Sequence, residues 1–106
     1  MQPTKPPFEM DLYLAGCFHF VGREQLHEIL GSPAYVETDS HATFGGQEDW
    51  WVMQISPGEF IGLCLRVPYQ DAVIYCSKNS KTSAEAYYSK LSKYWAYESY
   101  PELYPL

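Results

Sequence analysis

No stretch of this sequence approaches the roughly 20 consecutive apolar residues that span a bilayer, and none shows an internal repeat or low complexity. Basic residues are scarce. Seven Lys and Arg stand against 13 Asp and Glu, a formal net charge of -6 over 106 residues. That is the wrong sign for a protein that neutralises nucleic-acid phosphates, so no direct nucleic-acid partner and no membrane partner is expected. The length suffices for one hydrophobic core and not two. With 46% apolar and 17% aromatic residues the composition is also far from that of a disordered chain. A single domain over 1–106 is expected, with a proline-rich arm at 1–7 and a folded core from 8 to 106.

Cysteine is sparse too. Cys17, Cys64 and Cys76 form an odd set without a C-x-x-C pair, which argues against both a disulfide framework and a zinc knuckle. Each lies among apolar residues, where a free thiol behaves as a small hydrophobe. Reduced, buried thiols are therefore expected, the alternative being a Cys64–Cys76 bridge between neighbouring strands. Leu14-Ala15-Gly16-Cys17 has the form of a lipobox. It follows Pro3, Pro6, Pro7, Glu9 and Asp11 instead of basic and apolar export segments, so a cytoplasmic location is expected.

Catalytic and cofactor signals are thin. Of the three histidines, His19, His27 and His41, only His19 has a nucleophile at useful spacing: Cys17, two residues away and on the same face of a strand. A small thiol enzyme using Cys17 and His19 is one reading, although nothing orients the base. Cys17, His19, Asp39 and His41 do not fall into paired metal-ligand spacing. Gly45-Gly46 lacks the strand and helix that a phosphate-binding loop joins, so no cofactor is expected.

Local patterning predicts an α+β fold: an antiparallel meander of four to five strands, one helix after the first strand, and a C-terminal helix packed on the sheet. Phe8, Met10, Leu12 and Leu14 alternate with Glu9, Asp11 and Tyr13 before an apolar run through Phe18 and Phe20, which reads as a strand over 8–21. A helix is the alternative there, since Leu12, Ala15 and His19 also share a helical face. Leu26, Ile29 and Leu30 mark a helix over 22–30 closed by Gly31 in the left-handed region. A short strand at 34–37 and a polar loop to Gln47 follow. Trp50–Ile55 and Phe60–Val67 flank Ser56-Pro57-Gly58-Glu59 as a hairpin, with Trp51, Met53, Ile55, Ile61, Leu63 and Leu65 on the core face and Trp50, Gln54, Cys64 and Arg66 on the other. A strand at 72–76 and a helix from Thr82 or Ser83 to about Tyr97 complete the core, leaving the tail from Tyr100 without a helical pattern.

Charge is the most informative feature. From Glu24 to Leu65 the chain has seven carboxylates and neither lysine nor arginine, whereas four of the five lysines follow residue 77. An acidic surface is expected, and carboxylates that merely keep an aromatic-rich domain soluble would look the same. Glu48-Asp49-Trp50-Trp51 adds that one of two adjacent tryptophans should face outward, unless the sheet is buried on both faces and Trp50 packs under the C-terminal helix. An exposed Trp with an acidic rim would suit a basic protein partner. The candidate partner-binding residues are Glu37, Asp39, Glu48, Asp49, Trp50, Glu59 and Tyr69.

This profile of small size, clustered acid, abundant Trp and Tyr and no catalytic constellation resembles the bacterial immunity proteins of contact-dependent growth inhibition and related polymorphic toxin systems. The resemblance implies a non-catalytic cytoplasmic inhibitor of a cognate, basic nuclease toxin. The order of Leu30-Gly31-Ser32-Pro33, Gly45-Gly46, Trp50-Trp51 and Gly58 is similar to that of SmpA/BamE-type assembly lipoproteins. It implies, alternatively, a scaffold or assembly adaptor; the export signal of that family is not evident here.

Overall fold

Strict alternation in the middle of the chain builds the sheet on which everything else rests. In the computed structural model, which describes residues 2–3, 12–38, 46–67 and 70–105, the elements run β1 (Gln2–Pro3), β2 (Tyr13–Phe18), α1 (Arg23–Leu30), β3 (Tyr35–Glu37), β4 (Glu48–Ser56), β5 (Glu59–Arg66), β6 (Asp71–Cys76), α2 (Lys81–Tyr88), a 3-10 turn (Ser89–Lys93) and β7 (Tyr97–Pro105). All pairings are antiparallel, in the order β1-β4-β5-β6-β2-β7, with β3 sharing the outer edge of β4 with β1. The β4–β5–β6 meander follows the predicted hairpin. Pro57 fixes one turn position, and Gly58 takes a φ of 76°, which side-chain-bearing residues rarely adopt.

Register divides the side chains cleanly. Trp51 faces Leu63 and Met53 faces Ile61, while Trp50 faces Cys64 one step away on the opposite side. The first face packs Leu63, Leu65, Ile74 and Trp51 under Leu26 of α1 and under Ala84, Tyr88, Leu91 and Trp95 of the C-terminal helical segment. The second face buries Leu12, Cys17, Trp50, Val52, Cys64, Val73 and Tyr75. The sheet is thus buried on both sides. Trp50 stacks on Tyr75 on the face away from the helices, neither exposed nor under the C-terminal helix.

Several expectations need correction. Among the described residues seven strands stand where four or five were predicted. The first long strand is confined to Tyr13–Phe18, and Phe8–Asp11 lie outside the described residues. The C-terminal helix stops at Tyr88 and tightens into a 3-10 turn. Its N-cap is Ser80, whose hydroxyl bonds Ser77 instead of capping the helix. Tyr97–Pro105, expected to be irregular, is an edge strand on β2. Proline is tolerated there because one side of an edge strand makes no ladder bonds. Gly31 has the positive φ expected of it, 81°, but an extended ψ, and its N–H closes the helix onto the His27 carbonyl.

A bulge at Ala15-Gly16 lets β2 keep apolar residues on both faces while it pairs with β6 and β7. Gly16 is obligatory for packing: an added Cβ would lie 2.8 Å from the Glu98 carbonyl oxygen and 2.5 Å from the Tyr97 hydroxyl. Gly16→Ala should therefore force β7 outward and destabilise the protein by about 1–3 kcal/mol, read as a lower chemical-denaturation midpoint.

Candidate functional site

The register brings a row of ionisable side chains to one end of the second face. Glu37 on β3 pairs with Glu48 on β4, Glu48 with Arg66 on β5, and Arg66 with Asp71 on β6, so all four project on the side that carries Trp50 and Cys64. His19, just past β2, and Glu98 on β7 extend the row, with His19 Nε2 3.2 Å from Glu98 Oε1. Arg66 forms a two-pronged ion pair with Asp71. At the other end the Tyr35 hydroxyl donates to Glu37 and holds its carboxylate in place; that hydrogen bond, ahead of burial and the Glu37 charge, raises the Tyr35 hydroxyl pKa. Four carboxylates thus share one row with one arginine and one histidine.

Beside His19 stands Phe20, 85% exposed and held at a φ of 57°. An aromatic residue in the left-handed region is costly, and such strain tends to persist where surrounding structure or function demands it. Here the following residue is pinned, the Val21 N–H donating to the carbonyl of Gln70, itself at a φ of 54°. In the sequence Phe20 looked like one of the apolar residues of a strand running to Val21, and nothing local showed that the chain bends there.

Asp49 proves to be an internal residue. Strand alternation turns it onto the first face, where its side chain has no exposure and accepts hydrogen bonds from Arg23 Nε (2.9 Å), His27 Nε2 (2.8 Å) and Gln47 Nε2 (2.7 Å). Burial alone would raise its pKa; the hydrogen bonds from Arg23, Gln47 and His27 outweigh that and hold the carboxyl below its ordinary value. His27 also packs edge-on against Trp51, with ring centroids 5.2 Å apart. The cluster fastens α1 to the sheet, and its carboxylate is neutralised from within.

The predicted partner-binding residues are accordingly dispersed. Glu37 and Glu48 come together in the row. Asp49 and Trp50 are buried on opposite faces, because adjacent strand residues must diverge and both faces are covered. Glu59 lies at the hairpin turn, at the far end of the nine-residue β4 and about 27 Å from Glu48. Asp39 and Tyr69 lie outside the described residues, as does His41.

Cys17 and His19 share a face without forming a dyad. The thiol contacts the Phe18 carbonyl at 3.5 Å, whereas His19 pairs with Glu98. Burial, ahead of the Asp71 charge, pushes the Cys17 thiol up to about 11, and burial likewise raises Cys64 and Cys76, the latter to about 11. All three are free thiols; Cys64 and Cys76 point to opposite faces, which excludes the bridge between them. Among the described residues no group of three His, Cys, Asp or Glu is placed to hold a metal ion, and no helix is long and apolar enough to cross a membrane. No protein family, curated protein or solved structure matches the chain.

Three outcomes follow for solution measurement. The double substitution R23A/H27A leaves buried Asp49 with Gln47 alone and should cost about 3–5 kcal/mol in denaturant unfolding. Because the Asp49 pKa is lowered on folding, its stabilisation is complete above the unfolded value of 3.8 and is lost as pH falls through the lower folded value. D49N should flatten the stability–pH curve in that acid window. The raised thiols should resist iodoacetamide in the folded protein and react freely once it is unfolded; fast labelling of native Cys17 would restore the thiol-enzyme reading.

Proposed function

We propose that the protein is a non-catalytic cytoplasmic inhibitor of the immunity type, which binds a basic partner, a cognate nuclease toxin, through the carboxylate row and blocks its nucleic-acid groove. The observation that carries this reading is Phe20, a protruding aromatic side chain in a strained backbone beside that row. Aromatic anchors dominate binding energy when ringed by polar contacts, and carboxylates in a row can stand where phosphates would. Trp50 and Asp49 drop out of the site. Phe20 takes the anchor role, and Asp71 and Glu98 join Glu37 and Glu48.

The Glu37–Glu48 register supports the same conclusion. Like charges directly opposite on an antiparallel pair are destabilising by up to about 1 kcal/mol, so this pair opposes folding and favours a cationic partner. Close charge pairs across an interface can couple by about 1.5–7 kcal/mol when desolvated.

An immunity gene is expected directly beside its toxin gene, and the nuclease domain encoded there is the partner to test. E37K/E48K should slow association by about tenfold or more at low salt, with the difference shrinking as salt rises. F20A should weaken binding by at least about 2 kcal/mol without lowering thermal stability. The pair E37Q/E48Q should stabilise the fold while reducing protection. Association unchanged by E37K/E48K at low salt would remove the row from the site, and a neighbouring nuclease left uninhibited would end the proposal.

A further inference from the structure

One member of the carboxylate row belongs to a class that changes charge near neutral pH. Histidines ordinarily titrate between about pH 5 and 8, whereas carboxylates do so near 4. His19 stands just past β2, its Nε2 3.2 Å from Glu98 Oε1 on β7. Phe18 pairs with Ala72, so the next step of that register sets His19 beside Asp71 of β6, whose carboxylate is held by Arg66 of β5. Cys17, two residues back along β2, and Tyr100 of β7 pack on the same face. Both feel the Asp71, Glu98 and Arg66 charges, but burial comes first for each: it pushes the thiol up to about 11 and raises the Tyr100 hydroxyl, so neither ionises near neutrality. Arg23, four residues on, is turned to the first face by Asp49. Among the described residues of this neighbourhood the His19 imidazole is therefore the group whose class titrates there.

Position makes that proton matter. With His19 neutral, four carboxylates share the row with the single cation of Arg66. Protonation adds a second cation, against Glu98 and next to the exposed ring of Phe20. The backbone here is fixed on both sides of Phe20, the His19 N–H donating to the Ala96 carbonyl at 3.0 Å and the Val21 N–H to the Gln70 carbonyl at 2.7 Å. We propose that His19 is a pH-dependent gate on this surface, which holds a cationic partner while the imidazole is neutral and weakens its grip once the imidazole is protonated. The inference rests on the reading of the row as the partner-binding surface and adds its regulation. One unit charge added at contact distance in solvated surroundings changes affinity about three- to tenfold. The His19–Glu98 pair is itself 43% and 60% exposed and contributes little to folding, so the gate acts on binding and not on the fold.

The test uses the full chain and a labelled oligolysine of about six residues with both ends capped, whose charge is constant between about pH 5.5 and 8. Fluorescence anisotropy at low salt should show saturable binding about three- to tenfold weaker at about pH 5.5 than at about pH 8, a ratio that shrinks as salt rises. E37K/E48K should abolish binding, which locates the probe on the row. H19Q, which keeps a donor for Glu98, should bind at both pH values as tightly as the unaltered protein does at the higher one, with its melting temperature unchanged. H19K should bind weakly at both. H27Q, on the opposite face, should keep the pH ratio. Absence of saturable binding at the higher pH, binding indifferent to E37K/E48K, an affinity independent of pH, or a pH response that survives in H19Q would overturn the proposal. The nuclease encoded beside the gene tests the parent reading separately. Inhibition with a pH response untouched by H19Q would end the gate and keep the inhibitor reading, whereas an uninhibited nuclease with a His19-dependent oligolysine response would end the inhibitor reading and keep the gate.

Discussion

A carboxylate withdrawn entirely from water must be matched by donors, and the way Asp49 is matched fixes the arrangement of the helical face. Its three donors come from α1 and from the approach to β4, so the helix can dock in only one orientation without leaving a buried charge unpaired. An apolar contact such as Leu26 against the sheet stabilises burial but permits sliding. The Arg23 and His27 hydrogen bonds do not. With α1 held over the start of β4 and α2 over β6, β2 and β5, the second half of β4 is left less covered between them.

The same alternation that sends Asp49 to the first face sends Glu48 to the second. Glu48 and Glu37 remain at the rim of the second face, where register places them opposite one another and in line with Arg66, Asp71, His19 and Glu98. A sheet buried on both sides has little room for charge except at its ends, so carboxylates on inward-facing parities collect there. Glu59 is at an end too, but the opposite one. The acidity of the middle segment is thus divided into one internal ion-pair cluster, one surface row and a distant turn.

How much of this the sequence disclosed depended on whether the signal was local. The hairpin was legible because apolar residues alternate on both strands and Pro57-Gly58 marks the turn, and the two faces came out as predicted. The helix at 23–30 was legible from Leu26, Ile29 and Leu30. Glu48 and Asp49 are indistinguishable by charge and position. Their fates are separated by Arg23 and His27, four residues apart on one face of α1, and nothing local in the sequence assigns that pair to Asp49 instead of Glu48. β7 was hidden by Pro101 and Pro105, which in isolation argue against a strand and become admissible only at a sheet edge. Phe20 was hidden by its apolar neighbours, because the bend at it is pinned by the Val21–Gln70 contact, 49 positions apart in sequence.

The row is a rim of partly solvated charge, suited to steering a cationic partner and to discriminating against anionic ones, and its influence fades beyond about 10 Å at ordinary salt. Steering sets how fast a partner arrives and does little to keep it there. An apolar contact such as the exposed Phe20 ring beside the row acts on the other rate: burying it against a partner would slow departure, so charge and ring divide association and dissociation between them.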